Sequence, residues 1–251
     1  MAELQIRIPS LALVVLIGAS GSGKSTFARR HFKPTEVLSS DACRGLVADD
    51  ENDQSATTDA FEVLHLIAAR RLARGRLTVV DATNVQPMAR KPLVELARRY
   101  HVTPVAIVFD LPEEVSHARN RERPDRQFGP QVVRRQVQEL RRSLRGLERE
   151  GFPRQHLHVL RTPRDVDAIE AIVREPLHSH RQHEHGPFDL IGDVHGCFDE
   201  LVELLGRLGY RVREEAMAAP GYAVAPRTGA RRCSWATWST AARAWRGCCG
   251  W

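Results

Sequence analysis

The residues LALVVLI of Leu11–Ile17 run directly into GASGSGKS of Gly18–Ser25, and this stretch decides the fold. The first seven residues are apolar without alternation, which predicts a strand buried on both faces of a parallel sheet. The next eight fit the pattern GxxxxGK[ST], in which a glycine-rich turn joins such a strand to a helix. The stretch therefore predicts an α/β domain whose first βα turn binds phosphate.

The turn and the start of the following helix carry the groups that a nucleoside triphosphate needs. Glycines let successive backbone N–H groups converge on one phosphate at the positive end of a helix. We expect Lys24 to reach the β- and γ-phosphates and the Ser25 hydroxyl to ligate Mg²⁺. The predicted nucleotide-binding residues are Gly18, Ser20, Gly21, Ser22, Gly23, Lys24, Ser25 and Thr26.

Strands and helices alternate along the next 150 or so residues, which is typical of a P-loop NTPase-type parallel sheet flanked by helices. Further strands are predicted at Val37–Ser39, Leu77–Val80, Val105–Phe109 and His156–Leu160. Helices are predicted at Phe61–Arg74, Pro87–Tyr100, Pro112–Arg121, Val132–Glu150 and Val166–Glu175.

The composition, 42% apolar and 27% charged residues, is typical of a soluble globular protein. The net charge of +6 favours an anionic partner such as nucleic acid, although solvated arginine-rich helix faces give the same balance. The run Leu11–Ile17 is too short to span a bilayer and has the wrong flanks for a signal peptide. Five cysteines without zinc spacing or a disulfide framework indicate a reducing setting, so we expect a cytoplasmic protein with no membrane association.

The acceptor of the phosphoryl group is expected beyond the strand Val37–Ser39, because ligands of such sheets bind at the carboxyl ends of the strands. Asp41 could accept the proton of an attacking hydroxyl there, or it could cap the next helix. Arg44 lies one helical turn further on and could hold an acceptor phosphate, or it could be a surface arginine. Asp81 and Asn84 follow another strand and could organise Mg²⁺ or the acceptor, or cap the next turn.

A short arginine-rich segment, HARNRERPDRQFG at residues 117–129, is a candidate lid. Its proline and glycine indicate that the helix ends within it. Arginines on such a segment can close over a triphosphate and neutralise charge in the transition state, although a solvated charge run is the usual interpretation. The arginines concerned are Arg119, Arg121, Arg123 and Arg126.

Four strings, GASGSGKST, SSDACR, VVDATNVQP and RNRERPDRQFGP, together resemble the kinase module of bacterial polynucleotide kinase–phosphatase. The resemblance covers about residues 10–175 and continues through FDLIGDVHGCFDELVELLGRLGY. It implies that Lys24 and Ser25 handle ATP·Mg²⁺, that Asp41 is the general base for a 5′-hydroxyl, and that Arg44 engages the acceptor. It implies lid roles for Arg119, Arg123 and Arg126. It also implies end-healing of broken RNA, with an RNA 3′-end methyltransferase as a partner.

The string GDVHGC at residues 192–197 resembles the opening motif of calcineurin-like binuclear metallophosphatases. Asp193 and His195 would bind one divalent ion such as Mn²⁺ there. Two-metal chemistry needs further carboxylate, Asn and His ligands, and neither a GDxxDR nor a GNHE string follows. We therefore expect an incomplete metal site, an incomplete metallophosphoesterase fragment and no phosphatase activity.

The predicted organisation is a P-loop kinase domain at 1–175, a His-rich linker at 176–187, a truncated metallophosphatase start at 188–212, and an aberrant tail at 213–251. The linker is interpreted as a spacer because no helix or strand holds its histidines. Residues 216–251 lack Asp, Glu and Lys and contain all four tryptophans. If Ser239 has a TCN codon, the codons of Trp235–Arg243 read two bases later permit Gly-Asp-Leu-Val-Asp-Arg-Gly-Pro, with glycine and valine forced. The tail is thus expected to be frameshifted or disordered, and the strand Phe188–Ile191 to lack sheet partners.

The sequence leaves three functions open. The first is ATP-dependent phosphorylation of a 5′-hydroxyl end of RNA or DNA. The second is a P-loop kinase of a small-molecule alcohol, for which the same loop and Asp41 would serve. The third is an inactive remnant that binds nucleotide without turnover.

Overall fold

The computed structural model describes residues 4–121, 129–176, 188–191, 197–215, 221–225 and 232–235. The chain divides into two compact units, Met1–His178 and Ser179–Trp251. Among the described residues, none of the helices has the length and apolar character needed to cross a membrane.

A five-stranded parallel sheet forms the centre of the first unit, as predicted, in the order β3-β4-β2-β5-β6. Its strands are β2 (Ala12–Gly18), β3 (Val37–Ser39), β4 (Thr78–Asp81), β5 (Thr103–Phe109) and β6 (Leu157–Leu160). The helices of this unit are α1 (Lys24–His31), α2 (Ser40–Ala48), α3 (Thr57–Ala73), α4 (Pro87–Arg99), α5 (Glu113–Arg121), α6 (Pro130–Ser143), α7 (Leu147–Glu150) and α8 (Pro163–Asp167).

The strand β2 is buried on both faces, because successive side chains of a strand point to opposite sides of the sheet. Leu13, Val15 and Ile17 join one hydrophobic cluster with residues of α3, α4 and α6. Val14 and Leu16 join a second cluster with residues of α1. The sheet therefore has helices on both faces, and its polar groups are concentrated beyond the carboxyl ends of the strands.

The register of three neighbouring strands brings three chain segments to one edge of this sheet. Ser39 at the end of β3 pairs with Asp81 of β4, and Asp81 pairs with Leu16 of β2. Since paired strands lie about 5 Å apart, the end of β3 is about 10 Å from the strand that leads into the glycine-rich turn. The end of β4 lies between them.

The predicted helix Val166–Glu175 is wrong. Its last seven residues form a strand, β7 (Ile169–Glu175). This strand pairs in parallel with a strand that was not predicted, β1 (Leu4–Pro9). The apolar residues Val166, Ile169 and Ile172 have helical spacing, but the segment is rich in β-branched residues and β1 offers it an open edge. Tertiary pairing therefore outweighs the helical pattern.

The predicted single helix Val132–Glu150 is also wrong, because a 3₁₀ turn at Leu144–Gly146 separates α6 from α7. Gly146 weakens a helix interior. A 3₁₀ turn has three residues per turn, so Leu144 and Leu147 lie on one side. Both pack against the larger hydrophobic cluster, which favours the tighter turn.

The second unit contains β8 (Phe188–Ile191), α9 (Phe198–Arg207), β9 (Arg211–Glu215), β10 (Gly221–Ala225) and β11 (Arg232–Trp235). The expected strand and helix at its start are present. The expectation that β8 lacks sheet partners is wrong, since β8 pairs in parallel with β11. Within the segment expected to be an aberrant tail, the structure describes β10 and β11; the expectation of a frameshifted or disordered tail stays a prediction. The linker and most of the stretch used for the frameshift argument lie outside the described residues, and the domain boundaries stay a prediction.

Candidate phosphoryl-transfer site

The glycine-rich turn lies between the carboxyl end of β2 and the first residue of α1, as the motif predicts. Gly21 and Gly23 have φ angles of +79° and +94°, which residues with a side chain rarely adopt. The Gly18 N–H donates to the Thr83 carbonyl at 2.9 Å, which joins the loop to the turn after β4. The loop therefore has the local geometry of a phosphate cradle.

Lys24 folds back across the loop that it belongs to. Its Nζ donates to the carbonyls of Gly18 and Ala19, each at 2.8 Å, and the residue is 7% exposed. These neutral acceptors are weak partners for a buried ammonium compared with a phosphate oxygen. Lys24 is therefore held beside the cradle, at the root of the loop that a triphosphate would occupy.

The helix α5 packs directly on the far side of the cradle. The Arg119 Nη1 donates to the Ser22 carbonyl at 3.3 Å, and it lies 2.8 Å from where a Cβ on Gly23 would be. A Cβ on Gly21 would lie 2.5 Å from the Ser116 carbonyl oxygen. Of the predicted lid arginines, Arg119 is thus in contact with the loop.

Replacing Gly21 with alanine should therefore abolish nucleotide binding, because both the φ angle and the contact with Ser116 oppose a side chain. Gly75→Ala is the matched control: Gly75 also has a positive φ, +62°, but nothing lies within 4 Å of its Cβ position. We expect Gly75→Ala to cost about 1–2 kcal/mol of stability and to leave nucleotide affinity unchanged. Calorimetric titration with ATP tests both, and equal affinities for the two variants would contradict the packing argument.

The helix α6 packs on the near side of the cradle, a contact that sequence reasoning missed. The Ser20 N–H donates to Gln136 Oε1 at 2.8 Å. Ala19 forms a buried cluster with Val133 and Val137 of the same helix. One signal in the sequence could have indicated this contact: Gln136 is a polar residue beside the apolar positions Val133 and Val137 of an amphipathic helix.

Asp41 lies in the first turn of α2, directly beyond the end of β3. The helix is capped by Ser39, whose Oγ accepts from the N–H groups of Asp41 and Ala42 at 3.2 and 3.4 Å. The alternative that Asp41 is the N-cap is therefore wrong. Its carboxylate is about one-third exposed and forms an ion pair with Arg44.

Arg44 is 4% exposed, so the alternative of a surface arginine is wrong as well. Its Nη2 donates to Asp41 Oδ1, and its Nε donates to the Glu51 carbonyl at 2.8 Å. Within the described part of the chain, no hydrogen bond to its Nη1 is found. The pair predicted from the i, i+3 spacing is thus formed, and one guanidinium nitrogen of Arg44 makes no hydrogen bond to the described residues.

Burial raises the pKa of the neighbouring Cys43 thiol, which argues against a nucleophilic role for this thiol.

The carboxyl end of β4 holds two buried polar groups without partners. Asp81 is 5% exposed, and no hydrogen bond to its carboxylate is found among the residues that the structure describes. Asn84 has a φ of +49°, donates through Nδ2 to the Leu16 carbonyl at 2.9 Å, and leaves its Oδ1 buried without a partner. Such orphaned oxygens beside a phosphate cradle fit a hydrated cation.

A fully buried arginine supports the turn after β4. The Arg90 Nη1 donates to the carbonyls of Asn84 and Val85 at 2.8 and 2.9 Å. Its Nε and Nη2 form a bidentate pair with the Glu150 carboxylate at 2.7 and 2.6 Å. Sequence reasoning missed this residue, because nothing in the local pattern of α4 separates a buried arginine from an exposed one.

Several predicted site residues lie outside the described residues. They are Arg123 and Arg126 of the arginine-rich segment, and Asp193 and His195 of the GDVHGC string. Their roles stay predictions.

A family model described as AAA domain matches residues 13–147, more than half of the chain. A bis(5′-nucleosyl)-tetraphosphatase, PrpE of Halalkalibacterium halodurans, is 54% identical over 33 residues, and this match spans 13% of each protein. The chain thus covers only a small part of the curated relative that it matches.

Several solved structures are similar at low identity. A chain of the Pnkp1/Rnl/Hen1 RNA repair complex is 21% identical, with a TM-score of 0.48, over 75% of this chain and 58% of that one. The APS kinase CysC of Mycobacterium tuberculosis is 22% identical, with a TM-score of 0.40, over 64% and 95% of the two chains. A gluconokinase from Sinorhizobium meliloti is 17% identical, with a TM-score of 0.41, over 64% and 89%.

The family match coincides with the part of the chain that forms the parallel sheet, the glycine-rich turn and the helices packed against it. The chain therefore belongs to the AAA domain family, and its first unit has the P-loop kinase-type nucleotide-binding fold.

Proposed function

We propose that the chain transfers the γ-phosphate of ATP to the 5′-hydroxyl end of RNA or DNA, with a divalent metal ion, as an end-healing polynucleotide kinase. The observation that carries the proposal is the ion pair beyond the end of β3 between buried Arg44 and partly exposed Asp41. It combines a carboxylate that can take a proton with a guanidinium that can hold a phosphate, two strands away from the P-loop.

On the donor side, the loop amides and the positive end of α1 bind the phosphates of ATP. Lys24 exchanges its two carbonyl acceptors for phosphate oxygens, which are stronger partners because they are charged. Arg119, which already contacts Ser22, can stabilise the negative charge that develops on the transferred phosphoryl group.

On the acceptor side, Asp41 Oδ1 is oriented by Arg44, which is itself fixed by the Glu51 carbonyl. The hydroxyl oxygen attacks the γ-phosphorus, the bond to the β-phosphate oxygen breaks, and Asp41 takes the hydroxyl proton. The remaining nitrogen of Arg44 can hold the phosphate that follows the first nucleoside of the acceptor. A polynucleotide end carries such a phosphate, and a simple alcohol does not.

The metal ion fits the residues present. Ser25 lies in the first turn of α1, and Asp81 presents a buried carboxylate without a hydrogen-bond partner at the neighbouring strand end. When bound, Mg²⁺ would neutralise charge on the β- and γ-phosphates. Asp81 would hold it directly or through water, and the orphaned Asn84 oxygen would accept from that water.

We expect label from γ-labelled ATP to appear on 5′-hydroxyl RNA or DNA, and to be absent with Lys24→Ala. The test panel contains 5′-hydroxyl RNA, 5′-hydroxyl DNA, a nucleoside 3′-monophosphate and small alcohols such as gluconate. Transfer to the small alcohols alone would replace the proposal with the small-molecule kinase. ATP binding without transfer to any acceptor would favour the inactive remnant.

The proposal further includes the GDVHGC string as an incomplete Mn²⁺ site without phosphatase activity, and an RNA 3′-end methyltransferase as a partner. A metal-dependent phosphatase assay on the same chain checks the expected lack of that activity.

A further inference from the structure

The first half of the P-loop is held by a helix that contributes nothing to the P-loop motif. Gln136 is half-buried on α6, and its Oε1 accepts the Ser20 N–H at 2.8 Å. Val133, one helical turn before Gln136, and Val137, the next residue, are 0% and 4% exposed and pack against Ala19. Helix α6 thus holds two adjacent loop residues, Ala19 by an apolar contact and Ser20 by a hydrogen bond.

The peptide group between Ala19 and Ser20 forms a hydrogen bond to a side chain at each of its two ends. Its carbonyl accepts from Lys24 Nζ, and its N–H donates to Gln136. The C=O and N–H of a trans peptide point in opposite directions within one rigid plane. Gln136 therefore helps to set the direction of the carbonyl that holds Lys24, although the two side chains lie at opposite edges of that peptide group.

The carbonyl end of this peptide has two donors, because the Ser22 N–H also donates to the Ala19 carbonyl, at 3.2 Å. At the N–H end, Gln136 is the acceptor. Gly18 before this peptide and Gly21 after it lack side chains, and glycine permits more backbone rotation than any other residue. The second half of the loop is restrained by α5 through Ser116 and Arg119. Without Gln136, the Ser20 N–H would lose its acceptor, and the peptide plane would be held at its carbonyl end alone.

We propose that Gln136 is a positioning residue of the phosphate cradle, which keeps the Ala19–Ser20 peptide oriented so that the cradle and Lys24 are preorganised for a triphosphate. It acts through the loop backbone. The proposal rests on nucleotide binding by the P-loop and not on the identity of the acceptor, so its test needs no acceptor.

The test compares Gln136→Met with Gln136→Glu and with Gln138→Met. Methionine keeps the length of the side chain but removes the carboxamide acceptor, whereas glutamate keeps an oxygen in the same position. Gln138 is exposed on the same helix and controls for a general effect of methionine on α6. Amide hydrogen exchange of Ser20 in the nucleotide-free chain is the direct measurement, and affinity for a non-hydrolysable ATP analogue is the functional one.

In Gln136→Met we expect Ser20 exchange to rise by about 3–10-fold and analogue affinity to fall by a similar factor, the usual effect of losing one hydrogen bond. Ser20 should stay protected in Gln136→Glu, and both measurements should stay at the wild-type value in Gln138→Met. Unchanged Ser20 exchange in Gln136→Met, or equal analogue affinity in the two methionine variants, would overturn the proposal. If Gln136→Met does not fold, Gln136→Asn, whose amide stops one methylene short of Ser20, takes its place with the same expected results.

Discussion

Asp41→Asn is expected to lower the rate of phosphoryl transfer by about 10²–10⁴-fold while ATP affinity stays within a few-fold, the usual effect of removing a general base. Asparagine keeps the shape of the side chain and an oxygen that can accept from Arg44, but it cannot take the proton of the attacking hydroxyl. Steady-state kinetics with labelled ATP and the acceptor identified in the panel measure the rate, and calorimetry measures the affinity.

Asp49→Asn is the control for this variant. Asp49 is exposed at the C-cap of the same helix with a φ of +57°, a conformation that asparagine tolerates. The variant Asp49→Asn should leave both the rate of phosphoryl transfer and the affinity for ATP unchanged. Lys24→Ala should instead lower both, because Lys24 belongs to the cradle. Full activity of Asp41→Asn would show that the carboxylate only anchors Arg44.

Glu150→Ala is expected to destabilise the first unit by about 3–5 kcal/mol, since removing one partner of a buried ion pair leaves the other charge uncompensated. Arg90 is 0% exposed, and Glu150 provides both of the oxygens that its Nε and Nη2 contact. Glu150 itself is 19% exposed, so some water can reach the site, and the lower end of this range is expected. Chemical denaturation measures the free energy of unfolding.

An exposed ion pair on α4, the helix of Arg90, is the matched control. Lys91 and Glu95 are 4.0 Å apart with well-exposed side chains, and Glu95→Ala should cost less than about 1 kcal/mol. The double variant Arg90→Met/Glu150→Leu should recover part of the loss, because it removes both charges, but not all, since the Asn84 and Val85 carbonyls lose their donor. Equal effects of Glu150→Ala and Glu95→Ala would refute the account of a buried pair.

The most local features were predictable. The apolar run before Gly18, the glycines and the GKS ending together determine a buried strand, a tight turn and a helix start, because each depends on neighbouring residues alone. The parallel sheet follows from the alternation of strands and helices along the chain. Asp41 and Arg44 could be proposed as a pair because three residues span one helical turn.

Other features depend on contacts between distant residues, and here the local pattern misled. The segment after Val166 has helical spacing, yet β1 supplies a pairing edge more than 150 positions away in the chain. Ser39 and not Asp41 caps α2, which depends on where the strand ends. Neither choice can be made from a window of ten residues.

By itself, then, the sequence determined that this chain has a P-loop in an α/β sheet, since a motif of adjacent residues encodes its own backbone geometry. Only the tertiary structure decided what holds that motif in place. The partners of the loop are Thr83 after β4, Arg119 on α5 and Gln136 on α6, and they meet it because the sheet order brings the ends of distant segments together. The tertiary structure also decided that Arg90 and Arg44 are buried while many other arginines are exposed. The burial of a side chain depends on all the elements packed around it, which a local sequence pattern does not reveal.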